Sequence, residues 1–443
     1  MKALRKNTIR FLSALLCFFT IFAIFIFPTK AEKKEPDLSA ASSVILYSIT
    51  GDKILLSSAP DKAIYPSATV KIMSGLLLCE SFSERLEEKV VLGADMLRHT
   101  EGRKFGLSVG DELLIGDLMK IALCGSFNDA YAALAVISEG DIEAFIEKMN
   151  SRAAELGAFS TKFTNVSGLD NEEMRTTARD ILKIAVAAEQ NELYMRLSST
   201  FSYTVTVNGT KTVENRNELH NIYGDFYNPN AYGLCTGSTE LGGNCLVTKG
   251  EIEGAEYICI VMGVSEESRD DRENLEYSLA SSLLTYAAEN YSVITLREKG
   301  EVVGSLPVTL SDSSSSIDLI LGEDIKILRD LNAPADDDRT FDLMLSKKTL
   351  KAPVEAGTVV GYMVVRSGNE ILASVPVVTA KAAPKNDFLA MLDGMKGYIT
   401  GRAFIAFLIF AVSGAILFFI GVAVVTEASR KKRRRNYRVT RLR

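Results

Sequence analysis

The apolar positions change their spacing along this chain, and each change marks a different kind of element. Ser43-Val44-Ile45-Leu46-Tyr47 and Lys53-Ile54-Leu55-Leu56 flank Thr50-Gly51-Asp52, which predicts a β-hairpin turning on glycine. Apolar residues then recur every three or four positions over Val70 to Glu80, Ile115 to Ser138, Ile142 to Leu156 and Thr177 to Glu189, predicting helices. Strand-like runs return at Phe201 to Val207, Cys245 to Thr248 and Tyr257 to Val264. Strands, a helical block and further strands predict an α/β (α+β) domain over residues 38–292. Short strand-like runs separated by Gly, Asp, Asn and Ser clusters follow, from Ser292-Val293-Ile294 to Ile371-Leu372-Ala373-Ser374-Val375, and predict a small all-β domain over 293–380. Residues 381–402 form a linker whose later part is amphipathic enough to lie on a membrane surface.

Two apolar runs break this pattern. Phe11 to Phe27 follows Lys2, Arg5, Lys6 and Arg10 and precedes Pro28-Thr29-Lys30-Ala31, so residues 1–31 read as a secretory signal cleaved after Ala31, with an uncleaved anchor as the alternative. Ala403 to Thr426 holds 24 residues without a charge, enough for a transmembrane helix. The cluster that follows, Arg430 to Arg435 with Arg438, Arg441 and Arg443, predicts a cytoplasmic tail over 427–443 in contact with membrane lipid, and places the large domains outside the cell.

Charge sharpens this division. The chain carries a net −6 in spite of two basic ends, so the exported middle is strongly acidic and unsuited to nucleic acid. An anionic substrate would need local donors. Beyond the signal lie Cys79, Cys124, Cys235, Cys245 and Cys259, an odd and irregular set that suggests neither a disulfide framework nor a metal site. With only His99 and His220, a Ser/His/Asp triad is not expected, and no metal or cofactor is called for.

Three short segments carry candidate chemistry: Tyr65-Pro66-Ser67-Ala68-Thr69-Val70-Lys71-Ile72-Met73-Ser74, Gly125-Ser126-Phe127-Asn128-Asp129 and Tyr232-Gly233-Leu234-Cys235-Thr236-Gly237-Ser238-Thr239. In order and spacing they resemble the S-x-x-K, S-x-N and K-T-G motifs of the serine D-Ala-D-Ala carboxypeptidases, the low-molecular-mass penicillin-binding proteins. Phe163 to Asp170, Thr176 to Asp180 and Asn215 to Leu219 are similar to other segments of that family, and the likeness covers about residues 38–265. The resemblance implies a β-lactamase/transpeptidase-like fold and a site that acts on peptidoglycan stem peptides. There a serine is activated by a lysine one helical turn on, the S-x-N serine relays a proton, its asparagine holds a substrate amide, and the K-T-G strand supplies a cation and hydroxyl for the terminal carboxylate.

Measured against that pattern, Lys71, Ser126, Asn128, Thr236 and Gly237 are present, whereas Ala68 occupies the nucleophile position and Cys235 the K-T-G lysine position. Ser67 is the one candidate for a relocated nucleophile, although after Pro66 it is also a natural helix N-cap. Cys235 reads as a space-filling strand residue rather than a new nucleophile. Arg216 could hold a substrate carboxylate in the absence of the K-T-G cation, and could equally be a solvated loop residue.

The expectation is therefore a wall-facing homologue, catalytically impaired, that binds stem peptides or wall-synthesis proteins; the alternative is an active carboxypeptidase using Ser67. The topology has a direct test. Protease added to wall-stripped cells is expected to digest residues 32–400 and spare the tail, and protection of the large domains would reverse the orientation.

Overall fold

The computed structural model describes residues 35–98, 100–265, 274–311, 315–333, 338–399 and 401–439. The signal expected over 1–31 lies outside the described residues. The chain forms two compact units, Met1–Thr295 with Lys326–Asp337, and Leu296–Ile325 with Asp338–Arg443.

In the first unit the strands are β1 (Ala41–Ser48), β2 (Lys53–Ser58), β3 (Lys89–Val91), β4 (Glu112–Leu114), β5 (Ser202–Thr206), β6 (Thr210–Glu214), β7 (Ala231–Thr239), β8 (Gly243–Ile252) and β9 (Ala255–Val264). Its helices are α1 (Val70–Phe82), α2 (Ile115–Leu123), α3 (Asn128–Glu139), α4 (Ile142–Glu155), α5 (Ala178–Glu189), α6 (Glu192–Ser199) and α7 (Leu275–Asn290). Five strands form an antiparallel sheet in the order β2-β1-β9-β8-β7. Both faces of this sheet are covered, and the side-chain alternation of a strand explains how. Ile258, Ile260 and Met262 of β9 enter the core built around α1, while Tyr257, Cys259 and Val261 enter the core that contains Leu279, Leu283 and Leu284 of α7. A strand buried on both sides has no polar face, which is why this segment is apolar without alternation. Each such side chain contributes about 1.5–3 kcal/mol of burial. Helix α1 obeys the same logic. Its residues are apolar nearly all round, and it runs buried through the middle of the first core.

The apolar spacing from Ile115 to Ser138 suggests one helix, but the structure divides it into α2 and α3 at Cys124–Phe127. Ser126 there adopts φ 57°, left-handed and unusual for a serine, and its carbonyl leaves the helical ladder to accept a hydrogen bond from Lys71. Immediately after the break, Asp129 fixes a distant loop. Its buried carboxylate accepts from the backbone N–H groups of Phe105, Gly106 and Leu107 at 2.9–3.1 Å.

The remaining strands are β10 (Tyr291–Arg297), β11 (Val302–Thr309), β12 (Ser316–Leu321), β13 (Ile325–Asp330), β14 (Arg339–Leu345), β15 (Leu350–Lys351), β16 (Val359–Ser367) and β17 (Glu370–Thr379). In the second unit six of them form a sheet in the order β14-β16-β17-β12-β11-β15, with Leu306, Ile317, Leu319, Val365 and Val377 in its core. Two helices follow, α8 (Asp387–Ile399) and α9 (Arg402–Val439). Phe404–Arg434 within α9 is long and apolar enough to cross a membrane. Its exposed Phe407, Ile409, Phe410, Phe418 and Phe419 form a surface of the kind that lipid rather than water covers. The molecule thus combines a mixed α/β body, an all-β domain and an apolar C-terminal helix.

Because one carboxylate satisfies three amides, Asp129→Ala is expected to lower unfolding free energy by about 2 kcal/mol or more. Amide exchange at Phe105 to Leu107 should rise with it. Unchanged exchange there would show that the loop is held by something else.

Candidate functional site

Lys71, the second residue of α1, is 5% exposed. Its Nζ donates to the Ser126 carbonyl at 2.8 Å and to the Ser126 hydroxyl at 3.0 Å, and lies 5.5 Å from the centre of the Tyr131 ring. Burial pushes the ammonium pKa down to about 8, with Arg216 and Arg103 adding to the shift and Cys235 and Asp129 opposing it. At neutral pH roughly one such lysine in ten is therefore uncharged and able to accept a proton.

Residues Ser67–Thr69 form a single 3-10 turn leading into α1, with Ala68 at its centre. A β carbon built on Gly237 would stand 2.7 Å from the Ala68 methyl, so strand β7 can lie this close only because position 237 has no side chain. Ala68 and Gly237 line one small cleft together with Lys71, Ser126, Asn128, Arg216 and Thr236. Ser67 does not line it. Its side chain packs toward Gly242, its hydroxyl is buried beside the Cys245 thiol, and no side chain caps the turn, so the N-cap suggested by the sequence is not formed. The turn is closed instead by Thr69, whose hydroxyl donates to the Pro66 carbonyl at 2.6 Å.

On β7 the thiol of Cys235 donates to the Ala68 carbonyl at 3.2 Å, and burial pushes its pKa up to about 11. It stays protonated at neutral pH, a poor nucleophile. All five described cysteines are buried with free thiols. The Thr236 hydroxyl meets the Cys245 carbonyl at 3.1 Å and the Tyr277 hydroxyl at 3.2 Å. The β7–β8 register slips between Tyr232 and Cys235, where Leu234 takes φ 61°. Ser67 (φ 49°), Ser126 (φ 57°) and Leu234 (φ 61°) thus place strained, non-glycine backbone beside each of the three motifs.

Asn128 closes the cleft from α3. Its Nδ2 donates to the Glu101 carbonyl at 2.7 Å, its backbone N–H donates to the Arg103 carbonyl at 2.8 Å, and its buried Oδ1 has no partner among the described residues. The loop it holds brings in a residue for which the sequence offered no signal. Arg103 lines the cleft, with Nε donating to the Gly125 carbonyl at 3.1 Å and its guanidinium 4.4 Å from the centre of the Phe127 ring. Nothing local in Glu101-Gly102-Arg103-Lys104 marks it, because Asn128 and Asp129 make the approach. Ser167, Gly168 and Leu169, from the segment Phe163 to Asp170, complete the wall. The cleft thus gathers a buried lysine, the serine hydroxyl it contacts, an asparagine and two arginines around the point where the Ala68 methyl faces Gly237.

A family model described as D-alanyl-D-alanine carboxypeptidase matches residues 29–266, and one described as penicillin-binding protein 5, C-terminal domain, matches residues 291–385. The D-alanyl-D-alanine carboxypeptidase DacF of Bacillus subtilis is 26% identical over 85% of this chain and 94% of its own length. A D-alanyl-D-alanine endopeptidase of Escherichia coli is 30% identical over 52% of this chain and 72% of its own. Among solved structures, a peptidoglycan synthesis regulatory factor (PBP3) from Streptococcus pneumoniae superposes with TM-score 0.68 at 20% identity, covering 78% of this chain and 99% of that one. Penicillin binding protein 5 from Haemophilus influenzae gives 0.59 at 23%, covering 80% and 99%. Those two likenesses concern the fold. With more than half of the chain matched by the first family model and the three motif segments gathered around one cleft, this protein belongs to the D-alanyl-D-alanine carboxypeptidase family of penicillin-binding proteins.

Proposed function

We propose that this protein binds peptidoglycan stem peptides at the outer face of the membrane without hydrolysing them. The reading rests on one observation: the side chain that meets the Gly237 backbone at the mouth of the Lys71 cleft is the methyl of Ala68. Acyl transfer in this family starts from an oxygen at the helix start, which the Ala68 methyl does not supply, while the Ser126 hydroxyl in contact with Lys71 belongs to the S-x-N segment, whose role is the relay. The Ser126 hydroxyl is still in contact with the Lys71 ammonium at 3.0 Å, and Asn128 lines the same cleft. A working carboxypeptidase using Ser67 is less favoured, because the Ser67 hydroxyl is buried outside the cleft lining. Residues 38–292 carry the peptide site in this account. The apolar helix anchors it, with the basic residues after Thr426 on the cytoplasmic side against anionic lipid.

The defects are local, so they can be reversed. Ala68→Ser is expected to be required for release of D-alanine from a synthetic stem pentapeptide, raising the rate at least about a hundredfold over background. Adding Cys235→Lys should increase the rate further, and by more than the product of the two single effects, because a cation that orients the carboxylate helps little where no acyl bond can form. Released D-alanine is counted against time, beside a thermal melt that confirms folding. A folded double variant that releases none would mean that the pocket has diverged beyond these two positions and that binding lies elsewhere.

A further inference from the structure

We infer that Arg103 is the cation through which this cleft recognises the terminal carboxylate of a bound peptide, in place of the ammonium that Cys235 does not supply. The inference rests on the reading of the cleft as a stem-peptide site. Three features support it. First, Arg103 is held in advance. Asn128 bonds the backbone on both sides of Gly102, Asp129 takes the amides of Phe105, Gly106 and Leu107, Nε is spent on the Gly125 carbonyl, and the Phe127 ring supports the guanidinium plane. This leaves the two Nη groups, the fork that matches a carboxylate, without a protein partner among the described residues.

Second, the charged side chains that line the cleft among the described residues are all cationic: Lys71, Arg103 and Arg216. Glu214, Glu218 and Glu276 line an adjoining cavity that both arginines also reach, yet among the described residues neither arginine forms a salt bridge. Arg216 depresses the Arg103 pKa after burial has done so, the mark of two like charges held near each other. An anion between them relieves that repulsion. Third, Asn128, whose hydrogen bonds hold the backbone on both sides of Gly102, itself lines the cleft, so the Arg103 loop is tied directly to the pocket. In a chain whose exported part is acidic, these donors must be local to act at all.

The test uses full-length protein in lipid nanodiscs and acetyl-lysyl-D-alanyl-D-alanine, prepared as the free acid and as the C-terminal amide. The acid is expected to bind about tenfold or more tightly than the amide. Arg103→Ala should bring the acid to within about threefold of the amide while leaving the amide's own affinity in place, and Arg103→Lys should keep part of the preference. Sodium acetate and free D-alanine, each with a carboxylate but no peptide N–H, should compete weakly. If Arg103→Ala weakens acid and amide alike, so that their ratio is unchanged, Arg103 only supports the loop and the inference is wrong. Equal binding of acid and amide by the unaltered protein overturns it as well. Binding of neither form removes the stem-peptide reading together with this one.

Discussion

A buried ammonium sets the conditions for the rest of this site. Removing the charge of Lys71 from water costs several kcal/mol unless hydrogen bonds replace the lost hydration, and two of the replacements come from one residue, the carbonyl and hydroxyl of Ser126. To offer both, Ser126 must leave the helical path, so the apolar stretch from Ile115 onward breaks into two helices at that point. The break sets Asn128 and Asp129 at the start of a new helix, and these two residues draw the Glu101 to Leu107 loop over the cleft. The ammonium, the start of α3 and the Arg103 loop are thus joined in one hydrogen-bonded chain through Ser126, Asn128 and Asp129. The same burial tunes the lysine toward its neutral form.

The strained residues add to this picture. Left-handed backbone at Ser67, Ser126 and Leu234 costs of order 1 kcal/mol or more each, and the surrounding packing must enforce it. All three lie in the motif segments, one beside the empty nucleophile position, one under the lysine and one at the bulge that aims Cys235 at the Ala68 carbonyl. Strained backbone is thus concentrated in the three segments that meet around the Lys71 cleft. A thiol that fills the K-T-G lysine position and bonds the Ala68 carbonyl preserves the packing between β7 and the turn and gives up the charge.

Much of the architecture was legible in the chain itself. The β1–β2 hairpin follows from its glycine turn, the buried course of α1 from apolar residues all round, and the three motif segments from their order and spacing. What was not legible depends on contacts distant in sequence. The division of the stretch from Ile115 to Ser138 requires Lys71 to be opposite Ser126. The absence of a cap at Ser67 follows from the approach of Gly242, and the strand order β14-β16-β17-β12-β11-β15 has no local signature. Arg103 stands in a loop with no pattern of its own and reaches the cleft through hydrogen bonds from residues some 25 positions later.

The proposed reading is that no residue of the Lys71 cleft takes up an acyl group, because Ala68 stands where the family motif has its serine. Intact-mass measurement of the unaltered full-length protein after exposure to benzylpenicillin tests this most directly, since acylation leaves the opened drug attached to the residue that attacked it. The account predicts a single species at the mass of the untreated chain. A species heavier by one drug molecule, with the added mass on a peptide containing Ser67 or Ser126, would contradict it.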